Sequence, residues 1–363
     1  MTTILLAGGG TGGHLMPALA IARAIAERHP DWRSFFAGAE RGVEARVLPE
    51  RGAPHQLFPF EPIHRQRPWR NLAWPFRIRG LVSGIDAMLD RESPAAVIGT
   101  GGYVSGPVVF RAASRGIPTG IIELDVRPGI ATRWLVGRVH EIWLAAPETL
   151  QCLPPDVRGK AHVTGAPIVV PDPARREAAM VQYGFGGDRP VVVVTGGSQG
   201  ARAINELIAV WIDQGGADHA DVIWGTGANT YEAFARHHRP PHLHVVPFID
   251  PIAAAWSVAD LCVARAGMMT IAELCAWGIP SILIPLPSAA ADHQAHNARA
   301  LANAGGAVSL AQAGLTADRL AGEMRALLGD ADRRRSMAVA ARARGRPGAA
   351  AEIAERVDLL VGA

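Results

Sequence analysis

The sequence predicts an α/β protein built from two doubly wound, Rossmann-like domains. Three observations point there. Apolar, strand-like runs alternate with helix-period segments almost throughout, the pattern breaks and restarts once near the middle, and three glycine-rich loops each directly follow an apolar run. At 363 residues the chain suits two domains of ordinary size better than one core. We expect residues 1–160 to form the first domain and 161–363 the second, with the last helix free to pack back on the first. The carboxyl ends of the two sets of strands should face each other across a cleft.

Residues 3–7 read as the first strand, and Gly8-Gly9-Gly10-Thr11-Gly12-Gly13-His14 follows it. A helix is expected over 17–28, since Pro17 is tolerated in a first turn and Leu19, Ala22, Ile25 and Ala26 recur on one face. Strands at 34–37 and 56–60 come next. A strand at 95–98 then leads into the second loop, Gly99-Thr100-Gly101-Gly102-Tyr103-Val104-Ser105-Gly106-Pro107, and strands at 119–122 and 141–144 complete the first half. The proline-rich stretch 152–173 reads as the crossing between domains. The pattern restarts with a strand at 191–194 and the third loop, Thr195-Gly196-Gly197-Ser198-Gln199-Gly200-Ala201. Strands at 221–224, 244–246, 261–263 and 281–286 follow, with an Ala/Arg-rich helical tail after Thr316.

Apolar residues make up 49% and charged residues 19%, the balance of a packed globular protein. The chain opens without a basic stretch leading into an apolar one, and no run approaches the roughly 18 apolar residues of a membrane span, so we expect a soluble, unexported protein. Cys152, Cys262 and Cys275 are far apart, as buried free thiols would be, and their spacing suits no metal. A net charge of +3 makes no case for nucleic acid. Lys160 is the only lysine. Locally the charge is uneven: no acid lies between Pro62 and Ile85, where Arg65, Arg67, Arg70, Arg77 and Arg79 interleave with Trp69, Leu72, Trp74, Phe76, Ile78 and Leu81. That stretch is either a solvated amphipathic segment or a patch that meets anionic lipid.

Glycine loops between strand and helix let the backbone approach a ligand and aim unpaired N–H groups at an anion, so loops at matched positions suggest phosphate binding. The first loop lacks the G-x-G-x-x-G spacing and distal acid of a nicotinamide site, and no Gly-Lys-Ser/Thr completes a P-loop.

Taken together, Gly9-Gly10-Thr11-Gly12-Gly13-His14 with Pro17-Ala18-Leu19-Ala20, then Gly101 to Pro107, Gly196 to Ala201, Arg265-Ala266-Gly267-Met268-Met269-Thr270-Ile271-Ala272-Glu273 and Gln294-Ala295-His296-Asn297-Ala298 resemble the MurG family. These are the peptidoglycan N-acetylglucosaminyltransferases of glycosyltransferase family 28. The resemblance is collinear over nearly the whole chain. It implies a GT-B fold, inversion at the sugar carbon, no metal or other cofactor, and peripheral attachment to the cytoplasmic face of the bacterial plasma membrane. It also implies two substrates, UDP-N-acetylglucosamine and the undecaprenyl-diphosphate-linked N-acetylmuramyl-pentapeptide, lipid I. The chain departs from the family's usual residues at Asp125, Ala166, Val169 and Trp224-Gly225, and at Val169 an arginine is missing.

By the same resemblance His14 is the base for the acceptor 4-hydroxyl. A helix start disfavours an imidazolium and so suits that role, although a lone histidine is more often structural. Thr11, Gly12, Gly13, Ser198, Ile249, Met268, Met269, Thr270, Glu273, Gln294 and Asn297 would bind the donor, and Gly10, Gly102, Tyr103, Ser105 and Gly106 the acceptor diphosphate. Asp125 and Arg265 are additional candidates, Arg265 as a substitute cation. Plainer readings stand beside these: Thr270-x-x-Glu273 fits a capping box, Gln294 and Asn297 a wet helix face, and Asp330-Ala331-Asp332 a helix cap. A related transferase with another acceptor, a UDP-N-acetylglucosamine 2-epimerase and a non-catalytic sugar-nucleotide binder remain the alternatives.

Overall fold

A computed structural model describes residues 1–59, 74–197 and 200–362. It divides the chain into unit 1, Met1–Ile168 with Gly348–Ala363, and unit 2, Val169–Pro347. Unit 1 begins with β1 (Thr3–Gly8), α1 (Gly12–Arg28), β2 (Arg33–Ala39), α2 (Glu44–Glu50), β3 (His55–Phe58) and α3 (Trp74–Glu92). It continues through β4 (Ala96–Gly101), α4 (Gly102–Ser114), β5 (Thr119–Glu123), α5 (Ile130–Leu135), β6 (Glu141–Leu144), α6 (Thr149–Cys152) and β7 (Ala161–Val163).

These strands form one parallel sheet in the order β3-β2-β1-β4-β5-β6-β7. All six residues of β1 are buried, as the central strand of a sheet covered on both faces requires. Leu5, Val97, Ile121 and Ile142 pack with Val104, Val108 and Val109 of α4 and with Ile85, Met88 and Leu89 of α3. Each such side chain contributes roughly 1.5–3 kcal/mol on burial. The chain order reverses between β1 and β4, so these two neighbouring strands bring their following loops together at the carboxyl edge of the sheet. Both loops are glycine-rich.

Unit 2 repeats the plan. It comprises α7 (Arg175–Tyr183), β8 (Val191–Thr195), α8 (Arg202–Asp213), β9 (Asp221–Gly225), α9 (Tyr231–Phe234), β10 (Leu243–Val246), α10 (Ile252–Val258), β11 (Leu261–Ala264), α11 (Met268–Trp277), β12 (Ser281–Leu283), α12 (His293–Asn303), β13 (Ala307–Ser309), α13 (Ala317–Gly329) and α14 (Ala331–Arg344). The parallel sheet runs β10-β9-β8-β11-β12-β13, with its reversal between β8 and β11. Its core gathers Val192, Val194, Val222, Trp224 and Val263 with Ile204 and Ile208 of α8 and Leu320 and Met324 of α13.

Four features of the fold differ from the sequence expectation. Helix α1 starts at Gly12, five residues before the expected start, so Pro17 lies in its interior. Pro17 therefore leaves the Gly13 carbonyl without its usual i+4 donor, and Pro107 does the same for Tyr103 in α4. Strands β7 and β13 were not expected; at three residues each, on sheet edges, they are too short for an apolar run to announce them. The strand expected over 281–286 ends at Leu283, ahead of Pro285. Finally, β7 carries the first sheet past residue 160, and the chain passes into unit 2 after Ile168.

The last helix, α15 (Ala349–Gly362), belongs to unit 1 and packs against α1. Asp358 accepts from Arg28 and, at 2.7 Å, from His29. Arg356 grips the Glu141 carboxylate at 2.5 and 2.7 Å and donates to His162 Nε2 at 2.7 Å. Burial, and then the Arg356 charge, hold the His162 imidazole below its ordinary range, in keeping with a neutral acceptor. Replacing Arg356 with Met would leave Glu141, 12% exposed, without its counter-ion. The variant should lose about 3 kcal/mol of stability to urea at neutral pH; a loss below about 1 kcal/mol would show that water relieves the carboxylate.

Candidate functional site

In unit 1 the two glycine loops at the sheet reversal interlock. Thr100 Oγ1, at the end of β4, donates to the His14 carbonyl at 2.8 Å, while the Thr100 carbonyl lies 3.2 Å from His14 Nδ1. A carbonyl can only accept, so Nδ1 carries the proton and Nε2 is the basic nitrogen of the neutral ring. Gly10 has φ +92°, and a Cβ there would lie 2.6 Å from Cε1 of Tyr103. Gly102 has φ +76°, and a Cβ there would collide with the Gly9 carbonyl oxygen. Both positions thus need glycine for conformation and for space. The Gly12 and Gly13 amides open α1, where no intrahelical acceptor reaches them, next to the exposed Thr11.

Two buried carboxylates hold backbone amides at the carboxyl end of this sheet. Glu44 is fully buried and accepts the Gly10 N–H at 2.8 and 3.0 Å and the Ala39 N–H at 2.9 Å. Glu123, at the end of β5, accepts from the amides of Asp125 at 2.9 Å and Gly129 at 2.8 Å and so shapes the loop that carries Asp125. Burial pushes the Glu123 carboxyl up to about 6.

Among the acceptor candidates, the structure brings Gly10, Gly102 and Tyr103 together beside His14. Ser105 and Gly106 lie deeper in α4: Ser105 is buried, with Oγ against Gly99, and Gly106 is buried facing Ala131 of α5.

In unit 2 the loop after β8 and the first turn of α11 flank the reversal, since Thr195 and Ala264 are paired neighbours. Gly200 packs its Cα against the Thr226 carbonyl, which also accepts from Asn205 at 2.8 Å. Trp224 is fully buried and donates to Asn205 Oδ1 at 3.0 Å, which fixes that turn from below. Ser198 lies outside the described residues. Ile249 follows β10 and is buried over Gly225, where a Cβ would come within 2.9 Å of its Cγ1.

Helix α11 is capped at Gly267, with Met268, Met269 and Thr270 as its first three residues. Thr270 therefore sits inside the helix and the capping-box reading of Thr270 and Glu273 fails. Glu273 instead accepts from Trp256 Nε1 of α10 at 3.1 Å, and burial pushes its carboxyl up to about 7. Met268 is buried. The Asp330 reading holds: its carboxylate accepts from Arg333 N at 2.8 Å and caps α14.

Gln294 and Asn297 separate. Gln294, in the first turn of α12, is partly exposed and accepts from the Leu286 amide at 2.9 Å. Asn297 is 1% exposed and donates to the Ala266 carbonyl at 3.4 Å, so it ties α12 to the turn before α11 instead of offering its amide at the surface. Arg265 is likewise engaged inward, donating to the carbonyls of Ile284 at 3.0 Å and Pro285 at 3.2 Å and to Gln312 at 2.6 Å. It braces the segment between β12 and α12. Ala166 is buried and Val169 exposed.

Comparison with known proteins matches residues 4–143 to the glycosyltransferase family 28 N-terminal domain and residues 191–355 to the family's C-terminal domain. A Salinibacter ruber UDP-N-acetylglucosamine–N-acetylmuramyl-(pentapeptide) pyrophosphoryl-undecaprenol N-acetylglucosamine transferase is 40% identical over 361 residues, 98% of this chain and 95% of that one. A Carboxydothermus hydrogenoformans protein of the same name is 38% identical over 326 residues, 87% of this chain and 86% of that one. Among solved structures, Acinetobacter baumannii MurG superposes with a TM-score of 0.78 at 26% identity, covering 99% of this chain and 100% of its own.

The Glu273 carboxyl sets a pH dependence. Unfolded, the group releases its proton near the ordinary 4.5; folded, it keeps it up to about 7. The folded state therefore holds the extra proton between these values, and stability falls as pH rises through that window, by about 3 kcal/mol in all. Glu123 acts with the same sign between 4.5 and about 6. Glu273→Gln should remove the part above pH 6, so the Tm of the variant should gain on the parent from pH 6 to 8. A constant Tm difference would mean that Glu273 stays ionised.

Proposed function

The chain belongs to glycosyltransferase family 28, and from that premise we propose that it moves N-acetylglucosamine from UDP-N-acetylglucosamine to the 4-hydroxyl of the N-acetylmuramyl group of lipid I. It is a hexosyltransferase of GT-B, two-domain Rossmann-like architecture. The observation that carries the reaction is full-length similarity to relatives that bear this activity in their names, with the family's glycine loops at both sheet reversals.

In this reading unit 1 binds the acceptor and unit 2 the donor. The acceptor oxygen attacks the anomeric carbon, the bond to the UDP oxygen breaks with its electron pair passing to the diphosphate, and the configuration inverts. The hydroxyl proton passes to His14 Nε2, a role supported by the Thr100 carbonyl, which keeps the other proton on Nδ1. Gly102 and Tyr103, beside His14, suit the acceptor diphosphate, and the unpaired first-turn amides of α1 at Gly12 and Gly13, with Thr11, suit an anionic group of the donor. The loop after β8, the amides of Met268, Met269 and Thr270, the backbone of Ile249 and the Gln294 side chain suit the donor. Glu273 suits the ribose hydroxyls, since ionised it would accept from both.

Peripheral attachment to the cytoplasmic face of the membrane is part of the same proposal. No helix among the described residues is long and apolar enough to cross a bilayer. Most of the arginine and tryptophan segment after Pro62 lies outside the described residues, but α5 offers a related surface in unit 1. Ile130 and Trp134 are 62% and 47% exposed, Trp134 stacks on Phe110 at 4.6 Å, and the Arg138 guanidinium sits 5.4 Å over the Phe110 ring. Aromatic rings with flanking arginines suit the headgroup layer of anionic lipid.

Incubation with UDP-N-acetylglucosamine and a lipid I analogue should yield UDP and a disaccharide; an epimerised sugar nucleotide, or neither product, would overturn the reading. In that assay His14→Ala should lower kcat on the order of 10²-fold with the donor KM nearly unchanged, and an unchanged kcat would remove His14 as the base. Joint replacement of Arg133 and Arg138 by Gln and Trp134 by Ala should weaken binding to anionic vesicles at least about tenfold, at roughly 1 kcal/mol per arginine. Activity on a soluble acceptor analogue should persist; undiminished vesicle binding would exclude the α5 surface.

A further inference from the structure

We propose that Glu44 is a positioning residue for the transfer reaction, holding the Gly9-Gly10 peptide plane in the one orientation that keeps the two glycine loops of unit 1 in register. The inference rests on the assignment of unit 1 to the acceptor. The first observation is burial: Glu44 is 0% exposed, a rare location for a carboxylate unless specific donors hold it. The donors are backbone. Both carboxylate oxygens accept the Gly10 N–H, and Oε1 also accepts from Ala39 at the end of β2. The surrounding chain leaves room for the group: a Cβ at Gly9 or at Gly42 would overlap its carboxylate oxygens, and one at Gly38 would lie 2.6 Å from its Cγ.

The consequence follows from peptide geometry. In a trans peptide the N–H and C=O point in opposite directions. With the Gly10 N–H directed at Glu44, the carbonyl of the same plane, that of Gly9, is directed away from it and rests against Gly102. Gly102 in turn lies beside the His14 ring, whose Cδ2 would be 3.2 Å from a Cβ there. A Gly-Gly peptide has the weakest steric preference for either orientation, so its direction must be imposed from outside. Glu44 imposes it, because a flipped plane would aim the Gly9 carbonyl at a buried negative charge. The contact then passes from Glu44 to Gly9-Gly10, to Gly102 and Tyr103, and to the ring that takes the proton. The carboxylate also engages the Gly10 amide from within, leaving anion binding to the amides at the start of α1.

Glu44→Gln tests this, since it keeps the volume but sets an amide NH₂ against a backbone N–H. With the lipid I analogue, kcat should fall about tenfold or more while the KM for UDP-N-acetylglucosamine stays within about twofold, a split that general destabilisation would not give. Glu44→Asp, which keeps the charge but withdraws it by one methylene, should fall between the two. In the parent protein, the Gly10 amide proton should exchange with solvent at least about a hundredfold slower than in an unstructured peptide. A fast-exchanging Gly10 amide would overturn the proposal even if neither variant folds. So would variants that retain parental kcat, or that lose activity only in proportion to folded protein. A parent protein that forms no disaccharide would instead refute the transferase reading, and the exchange rate would still report on the peptide lock.

Discussion

Everything at the candidate site depends on one constraint of parallel sheets: strand order can reverse only where two neighbouring strands send their following loops to opposite faces. Between β1 and β4, and again between β8 and β11, that divergence leaves main-chain N–H groups with no sheet or helix partner. Each unit meets the constraint in its own way. In unit 1 the two loops close on each other through Thr100, His14, Gly9 and Gly102. In unit 2 the loop after β8 leans on the Thr226 turn, which Asn205 and Trp224 secure from the core.

The central strands were legible because each is a continuous apolar run, and the helices because their apolar positions recur. What escaped notice had a common cause, namely partners remote in sequence. Glu44 stands in the charged stretch Glu40-Arg41-Gly42-Val43-Glu44, which reads as surface; only the flanking Gly38 and Gly42, spaced as though to admit a side chain, hinted at burial. Thr270 and Glu273 matched a cap in spacing, yet Gly267 starts the helix and Trp256, from the preceding helix, claims the carboxylate. Arg265 lay near the donor motifs in sequence, while the segment after β12 folds over to take its guanidinium. Local pattern finds elements and loops; it does not find which buried polar group holds which loop.

The departures from the family pattern divide in the same manner. Trp224 is absorbed into the core through a hydrogen bond to Asn205, and Gly225 gives Ile249 the space it occupies. Asp125 sits on a loop whose backbone Glu123 holds through the amides of Asp125 and Gly129. Val169 is exposed just where the chain enters unit 2, and the Arg265 guanidinium is engaged by the Ile284 and Pro285 carbonyls and by Gln312.

The return of α15 to unit 1 orders events during synthesis. Unit 2 is an insertion in unit 1, which stays open on one face until α15 emerges from the ribosome and Arg356 reaches Glu141. At about 5–20 residues per second, the intervening chain takes roughly ten to forty seconds to make. Through that interval the face of β4 and the side of α1 that α15 will cover remain bare, while unit 2 has all of its own strands and can close first. The nascent enzyme is therefore finished from its second half backwards, and the surface most in need of a chaperone lies on the half made first.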